Sequence, residues 1–132
     1  MRVHHLSCGT MCPYGGAWTG GQGPPWREAT MVCHVLLIES SAGLVLVDSG
    51  LGLGDVRDAR ERLGAGFCHV VRPRLLEEET AYRRIEALGL SPSDVRHVVL
   101  THLDLDHAGG MSDFPAATVH VMQAEHGAAM HP

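Results

Sequence analysis

The sequence predicts an α/β chain, because apolar runs typical of strands alternate with segments that have a helical period. Two such runs, Val32 to Glu39 and Leu44 to Val47, are joined by a turn-like stretch at 40–43 and predict a hairpin. A third run, Val95 to Leu100, follows a clear helical segment from Glu77 to Leu88. At 132 residues, these elements make one domain or part of one.

The remaining elements are shorter or less regular. Arg2 to Leu6 predicts a first strand, whereas Ser7 to Pro25, rich in Gly, Pro and Ser, predicts a long loop of the kind that often binds ligands. A short helix is expected near Asp55 to Leu63, a last strand at Thr118 to Met122 and a final helix from Gln123 to Met130.

The apolar pattern also predicts how these elements pack. Both hairpin strands are apolar at successive positions, so we expect both of their faces to be covered. In the helix, Ala81, Ile85 and Leu88 form one apolar stripe, and Glu79 and Arg83 have the spacing of an ion pair.

Composition and charge limit the classes of function. The formal net charge is −5 and no basic cluster occurs, which argues against a nucleic-acid partner. No stretch reaches the roughly 18 apolar residues needed to span a bilayer, and Met1 to Leu6 lacks the apolar run of a secretory signal. We therefore expect a cytoplasmic protein with no membrane partner.

The four cysteines are expected to be ordinary reduced thiols. Cys8 and Cys12 are spaced as C-x3-C, but no second pair completes a structural zinc site, and Cys33 and Cys68 stand alone. A disulfide or an auxiliary metal site remains the alternative.

The informative segment runs from Thr101 to Gly110 and places His102, Asp104, Asp106 and His107 directly after a buried strand. Alternate residues of an extended segment face the same side, so the first two side chains point together, and a turn would bring the other two beside them. Imidazole and carboxylate are ligands of zinc, iron and manganese. Gly109 and Gly110 allow close backbone packing where the loop enters a helix.

A simpler interpretation of this segment is that Asp106 caps a helix, with His107 in its first turn. The strand before the motif, the glycines after it and the upstream Asp48 favour the metal site instead.

The segment, written H-x-D-x-D-H here, is similar to the H-x-H-x-D-H motif of the metallo-β-lactamase superfamily. Val47-Asp48-Ser49-Gly50 resembles the Asp-Thr/Ser-Gly turn that those proteins carry after an early strand. Ala108-Gly109-Gly110 and Phe114-Pro115 match its lactonase-like and general hydrolase branches. The resemblance implies a metallo-β-lactamase-type αββα sandwich, of which only the first sheet-and-helix half is present, with 1–132 as a single, truncated domain.

The resemblance also implies roles for individual residues. His102 and Asp104 would bind one zinc ion, and Asp106 and His107 a second, so that a hydroxide between the two metals attacks a carbonyl. Asp106 would also pass a proton to the leaving group, as in lactone-cleaving relatives. Asp48 would orient the ligands by hydrogen bonding, although it could simply form the turn after a strand.

Two features depart from the family pattern. Asp104 stands where the family usually has His, and a carboxylate shifts the site toward iron or manganese. Family members also continue through a second half that supplies two further His and a bridging Asp, whereas His120, His126 and His131 are the only histidines after the motif here. We expect these three to be surface or strand residues.

The resemblance implies a metal-dependent hydrolase that acts on a small ester, lactone or thioester. The alternatives are a non-catalytic or truncated metal-binding module of the same fold, or a redox relative of the flavodiiron branch, which also places a carboxylate at the position of Asp104. An isolated half would expose apolar sheet surface, which predicts a homo-oligomer or pairing with a missing C-terminal half. Trp18 and Trp26 would either line the pocket or pack over the sheet edge.

Overall fold

A computed structural model, which describes residues 1–19 and 23–131, has five strands in one sheet, ordered β1-β2-β3-β4-β5. The strands β1, β2 and β3 are antiparallel neighbours, and β3, β4 and β5 are parallel neighbours. Their bounds are β1 Arg2–Met11, β2 Met31–Ser40, β3 Gly43–Val47, β4 Val95–Val99 and β5 Thr118–His120.

Helices connect and follow these strands, which confirms the predicted α/β class. They are α1 Gly16–Thr19, α2 Leu53–Arg57, α3 Ala59–Arg62, α4 Ala65–Val71, α5 Ala81–Ala87, α6 Leu105–Ala108 and α7 Gln123–Met130. Short 3₁₀ helices lie at Glu77–Glu79, Pro92–Asp94 and Gly109–Asp113. Within the described residues, no helix combines the length and the apolar character that crossing a bilayer requires.

The predicted hairpin of β2 and β3 is confirmed, and its turn shows why the sequence forms it. The hydroxyl of Ser40 donates to the carbonyl oxygen of Gly43 at 2.7 Å and accepts from the backbone N–H of Ala42 at 3.1 Å. Gly43 has a φ of 122°, which a side chain would disfavour.

One face of the sheet forms the main core. Leu37, Leu46 and Val98 are fully buried there and pack in the same cluster as Ile85 of α5 and Phe114. Burying each such aliphatic side chain contributes roughly 1.5–3 kcal/mol. A second cluster of Met11, Cys33, Leu51 and Leu63 lies beside it.

Within the described residues no element covers the opposite face of the sheet. The covering predicted for both faces is therefore absent from this part of the chain, whereas the exposed apolar surface predicted for an isolated half is present. Val32 is 50% exposed, and Leu36, Ile38, Val45 and Val47 are only half-buried. These apolar residues alternate with the core residues along each strand and therefore point away from the core. Apolar character alone cannot show whether another element lies over them.

The first strand is longer than predicted, because the residues from Ser7 to Met11 were expected in a loop. Ser7 pairs with His34 and Thr10 with Val32, with an irregularity in the register between them. Gly9, with a φ of 124°, lies within this irregularity. The pairing is long-range, which explains why local composition predicted a loop.

The helices also differ from the predictions at their ends. The helix expected from Glu77 begins at Ala81 in the structure, because Thr80 caps it by accepting from the backbone N–H of Arg83 at 3.4 Å. Arg83 forms ion pairs with Glu77 and Glu86, and not with Glu79 as predicted. The helix expected near Asp55 to Leu63 is divided into α2 and α3, and α4 was missed.

Candidate metal centre

The four predicted ligands lie where the chain leaves β4 and enters α6. Asp104 is the residue before α6, and its carbonyl oxygen accepts from the backbone N–H groups of His107 and Ala108 at 3.0 and 2.9 Å. This turn carries Asp106 and His107 back beside His102. Asp106 lies in the first turn of α6 rather than at its cap, so the simpler interpretation of Asp106 as a helix cap is wrong.

The side chains of the motif form two pairs. His102 Nε2 lies 3.4 Å from Asp104 Oδ2, and His107 Nε2 lies 3.4 Å from Asp106 Oδ2. The two imidazole rings face each other with centroids 3.9 Å apart. The structure thus brings all four residues into one cluster, with both Nε2 atoms beside a carboxylate.

These distances suit metal coordination. Two donors that each lie about 2.0–2.1 Å from a tetrahedral zinc ion are about 3.4 Å apart. Each His–Asp pair therefore has the spacing of one edge of a metal site. Among residues 1–19 and 23–131, no three His, Cys, Asp or Glu side chains are grouped to hold one ion, so each pair supplies two donors.

Asp48 connects this cluster to the sheet. It follows β3, is 5% exposed and has a φ of 60°, a conformation in which its carboxylate reaches the neighbouring loop after β4. The carboxylate accepts from the backbone N–H of Thr101 at 2.8 Å and from His107 Nδ1–H at 2.9 Å. The hydroxyl of Thr101 lies 3.0 and 2.8 Å from its two oxygens.

The hydrogen bonds around Asp48 determine which nitrogen of the His102 and His107 imidazoles carries the proton. A carboxylate has no proton, so Thr101 Oγ1 and His107 Nδ1 must both donate to Asp48. The Thr101 oxygen, 2.9 Å from His102 Nδ1, then accepts from that nitrogen. With Nδ1 of each ring engaged as a donor, Nε2 is the nitrogen directed at the cluster and available to bind a metal.

Ser49 and Thr101 are functional candidates that the sequence analysis missed. Ser49 is fully buried, and its backbone N–H and its hydroxyl both donate to the carbonyl oxygen of His107, at 2.8 and 2.9 Å. The available signal was position alone. Ser49 directly follows Asp48 and Thr101 directly precedes His102, near the ends of the parallel neighbours β3 and β4.

The two glycines after the motif have the predicted role of allowing close packing. A Cβ at Gly110 would lie 2.6 Å from the carbonyl oxygen of Ser49, and one at Gly109 would collide with a carboxylate oxygen of Asp55. Asp55 is 2% exposed and accepts from Arg62 Nε and from the backbone N–H of Gly52, both at 2.8 Å. The buried carboxylate of Asp55, paired with the partly exposed Arg62, therefore packs directly against Gly109 at the end of the motif.

A second carboxylate, that of Asp113, connects the loop after β3 to the segment that follows the motif. Asp113 Oδ2 accepts from the backbone N–H of Leu53 at 2.8 Å. Burial raises the pKa of the Asp113 carboxyl above its usual value, and this hydrogen bond opposes the rise. The loop after β3 is thereby attached to the end of the motif as well as to its start.

The four cysteines are free, as expected. Burial raises the pKa of Cys33 to about 12, and the negative charge of Asp106 adds to the rise, which places this thiol near the motif. Burial likewise raises the pKa of Cys8 to about 12. Both therefore stay protonated at neutral pH.

The other candidates lie away from the cluster. His120, His126 and His131 are exposed, as predicted, and His120 contacts His97 on the sheet. Trp18 and Trp26 are 82% and 77% exposed, so neither packs over the sheet edge.

Comparison with known proteins identifies the family. Residues 30–132 match the family model of the metallo-beta-lactamase superfamily. The chain belongs to the metallo-beta-lactamase superfamily, as the motif resemblance predicted.

Curated relatives are of two kinds. A probable metallo-hydrolase of Mycobacterium tuberculosis is 50% identical over 99% of this chain and 37% of its own length. An N-acyl homoserine lactonase of Azorhizobium caulinodans is 38% identical over 73% of this chain and 36% of its own. The N-acyl homoserine lactonase of Bacillus thuringiensis is 30% identical over 81% of this chain and 43% of its own.

Solved structures confirm the fold. An N-acyl homoserine lactone hydrolase, with the product N-hexanoyl-L-homoserine bound at its catalytic metal centre, superimposes with a TM-score of 0.76 at 23% identity. The match covers 98% of this chain and 52% of the hydrolase. A probable metal-dependent hydrolase from Staphylococcus aureus gives a TM-score of 0.73 at 23% identity, with 99% and 50% covered. The chain thus spans about half the length of these solved relatives.

Proposed function

We propose that this chain carries the first part of the active site of a metal-dependent hydrolase. In this proposal His102 and Asp104 bind one metal ion, and Asp106 and His107 bind a second. The observation that carries it is the pair of 3.4 Å His–Asp contacts, each made by the Nε2 atom that the Asp48 network leaves available to a metal. Membership of the metallo-beta-lactamase superfamily supports the same assignment.

The metal ions would activate a water molecule and polarise the substrate carbonyl. The protein side chains have separate tasks. Asp48 and Thr101 hold the two imidazoles, and Ser49 holds the backbone of His107. Asp106, whose side chain is 25% exposed, would carry the proton to the leaving-group oxygen.

The substrate class that the relatives favour is a small lactone, ester or thioester. Proteins named as N-acyl homoserine lactonases match at 30–38% identity, whereas the relatives at 50% are named only as probable metallo-hydrolases. We therefore propose carbonyl hydrolysis as the reaction and an acyl-homoserine-type lactone as the first substrate to test.

Zinc is the metal we propose first, at two ions per complete site, because His and Asp donors at tetrahedral spacing suit it. Asp104 makes iron or manganese the second choice, since a carboxylate is a harder ligand than imidazole. Its side chain is 75% exposed and can therefore rotate onto an ion without disturbing the core.

Metal content tests the proposal directly. Elemental analysis of the purified, untagged chain should find zinc, iron or manganese, and His107→Ala should lose it. His126→Ala, an exposed histidine on α7, is the matched control and should retain it. If the reconstituted chain binds no metal, or if both variants lose it equally, the proposed site is wrong.

Activity is a separate measurement. The metal-loaded chain should open a lactone ring, with release of a proton that a pH indicator records. A chain that binds metal at His107 but hydrolyses no lactone, ester or thioester would instead support a second candidate, a non-catalytic metal-binding module. The observation that favours this candidate is that each pair supplies only two donors within the described residues.

A further inference from the structure

The extended segment between β4 and α6, residues 101–104, carries two of the proposed metal ligands but belongs to no helix or strand. Its backbone N–H groups therefore need partners other than a sheet ladder. Asp48 accepts from the backbone N–H of Thr101 at 2.8 Å. Glu125 accepts from the backbone N–H of Leu103 at 3.0 Å through its Oε1. Two carboxylates thus hold two alternate peptide groups of this segment.

The two carboxylates come from opposite sides of β4. Asp48 directly follows β3, and Glu125 lies in the first turn of α7, which follows β5. Because β3 and β5 are the two neighbours of β4 in the sheet, the segment is held from both sides. Helix α7 is thereby attached to the centre of the motif, although it carries none of the predicted ligands.

The peptide group that Glu125 holds lies between the two proposed ligands of one ion. The N–H group of Leu103 belongs to the peptide plane that joins His102 to Leu103, and the next residue is Asp104. Rotation of this plane changes two of the backbone angles that set where His102 and Asp104 point relative to one another. The side chain of Leu103 packs against the main core, so this residue is fixed both at its side chain and at its N–H group.

We propose that Glu125 is a positioning residue of the metal centre, which acts on the pair of His102 and Asp104 by holding the peptide between them. This inference rests on the proposed function, because it assigns that pair to one ion. The quantity that Glu125 maintains is the 3.4 Å separation of His102 Nε2 and Asp104 Oδ2. Loss of its hydrogen bond leaves the peptide free to rotate and the two donors free to separate.

The other pair of ligands does not depend on Glu125. Asp106 and His107 both lie within α6, where the backbone N–H of His107 donates to the carbonyl oxygen of Asp104 at 3.0 Å. The His107 ring is also held directly by Asp48. Removal of the Glu125 carboxylate should therefore weaken one metal position and leave the other unchanged, whereas a general loss of stability would weaken both.

Two substitutions separate the hydrogen bond from the charge of Glu125. Glutamine has the same length and keeps an oxygen that accepts a hydrogen bond, but it carries no charge. Glu125→Gln should therefore keep the geometry of the segment, and Glu125→Ala should lose it. Gln123→Ala is the matched control, since Gln123 is an exposed residue of the same helix.

Hydrogen exchange and ring contacts test the positioning in the metal-free chain. The Leu103 amide should exchange about tenfold more slowly in the original chain, Glu125→Gln and Gln123→Ala than in Glu125→Ala, because a bonded N–H must open before it exchanges. The nuclear Overhauser contact between the rings of His102 and His107, whose centroids are 3.9 Å apart, should weaken in Glu125→Ala only. Equal exchange in all four chains, or an unchanged ring contact in Glu125→Ala, would overturn the proposal whether or not the chain binds metal.

Zinc titration followed by the ¹⁵N shifts of the two imidazoles then measures each metal position separately. In Glu125→Ala the affinity reported by His102 should fall about 10- to 100-fold, and the affinity reported by His107 should not change. Glu125→Gln should restore most of the affinity, and Gln123→Ala should bind as the original chain does. An equal loss at both histidines, or no loss at either, would overturn the proposal. If the original chain binds no zinc, the proposed function fails, and the exchange and ring contacts decide whether Glu125 positions His102.

Discussion

The hydroxyl of Thr101 lies 2.8 Å from Asp48 Oδ2 and 2.9 Å from His102 Nδ1, and so connects a buried carboxylate to a metal-ligand candidate. Asp48 also accepts directly from His107 Nδ1 at 2.9 Å. One carboxylate therefore orients two imidazoles, one directly and one through a hydroxyl. Each of the two His–Asp pairs has one of these rings.

Thr101→Val should weaken metal binding about 10- to 100-fold, because it removes the hydroxyl that holds His102 while keeping the shape of the side chain. Thr101→Ser keeps the hydroxyl and should restore most of the affinity. Competition with a chromophoric chelator measures both. If the valine variant binds metal as tightly as the original chain, the hydroxyl has no positioning role.

Asp48→Asn should change the tautomer of His107 even in the metal-free chain. The amide can present its NH₂ group to the ring, and Nδ1 would then accept and Nε2 would carry the proton. Long-range ¹H–¹⁵N correlation spectra at a pH above 8 distinguish the two tautomers. The original chain should show Nδ1–H for both His102 and His107, and Nε2–H for either would contradict the network.

Gly109→Ala should destabilise the chain by about 1–3 kcal/mol, because the added methyl collides with the buried carboxylate of Asp55. Gly127→Ala is the matched control. Its Cβ would meet no atom within 4 Å, and alanine in a helix is about 0.5–1 kcal/mol more favourable than glycine. The midpoint of urea unfolding, monitored by circular dichroism, should therefore fall for Gly109→Ala and rise for Gly127→Ala. Equal shifts would mean that the close approach at Gly109 is easily relieved.

The elements that could be predicted from the sequence are those that depend on residues close to one another along the chain. The hairpin of β2 and β3 follows from two apolar runs and a Ser-rich turn, and the grouping of His102 with Asp104 follows from alternate positions in an extended segment. The extension of β1 through Thr10 could not be predicted in this way, because it depends on pairing with Val32, which is distant in sequence.

The supporting residues of the site were missed for a similar reason. Ser49 and Thr101 are both small polar residues beside a strand end, and such residues usually form turns. Their role depends on β3 and β4 being parallel neighbours, which brings the loop of Asp48 against the loop of His102. The exposure of one sheet face was expected only from the resemblance to half of a sandwich, because the strands themselves do not show what lies opposite them.

Asp104→His should separate the two candidate functions. Histidine restores the usual family motif, so zinc affinity should rise if Asp104 is a weakened ligand in a non-catalytic module. If Asp104 is instead suited to the reaction, zinc affinity should change little and lactone turnover should fall. Titration with zinc and a turnover assay on the same preparation give both readouts. A Thr101→Ser preparation measured alongside serves as a conservative control.

Reagent titration and pH test the two buried thiols. Cys8 and Cys33 are 0% and 2% exposed with a pKa of about 12, so only Cys12 and Cys68 should react with a thiol reagent in the folded chain.

On unfolding, the pKa of each buried thiol returns to near 9.0, so above pH 9 the unfolded chain releases protons that the folded chain keeps. The contribution of these two thiols to the free energy of unfolding is therefore fully present below pH 9 and is lost as the pH rises toward 12. Urea midpoints at pH 8 and pH 10 should show this loss, and Cys8→Ala with Cys33→Ala should reduce it. Cys12→Ala, at a half-buried position, should leave the loss unchanged, and an equal effect of both changes would show that other groups cause it.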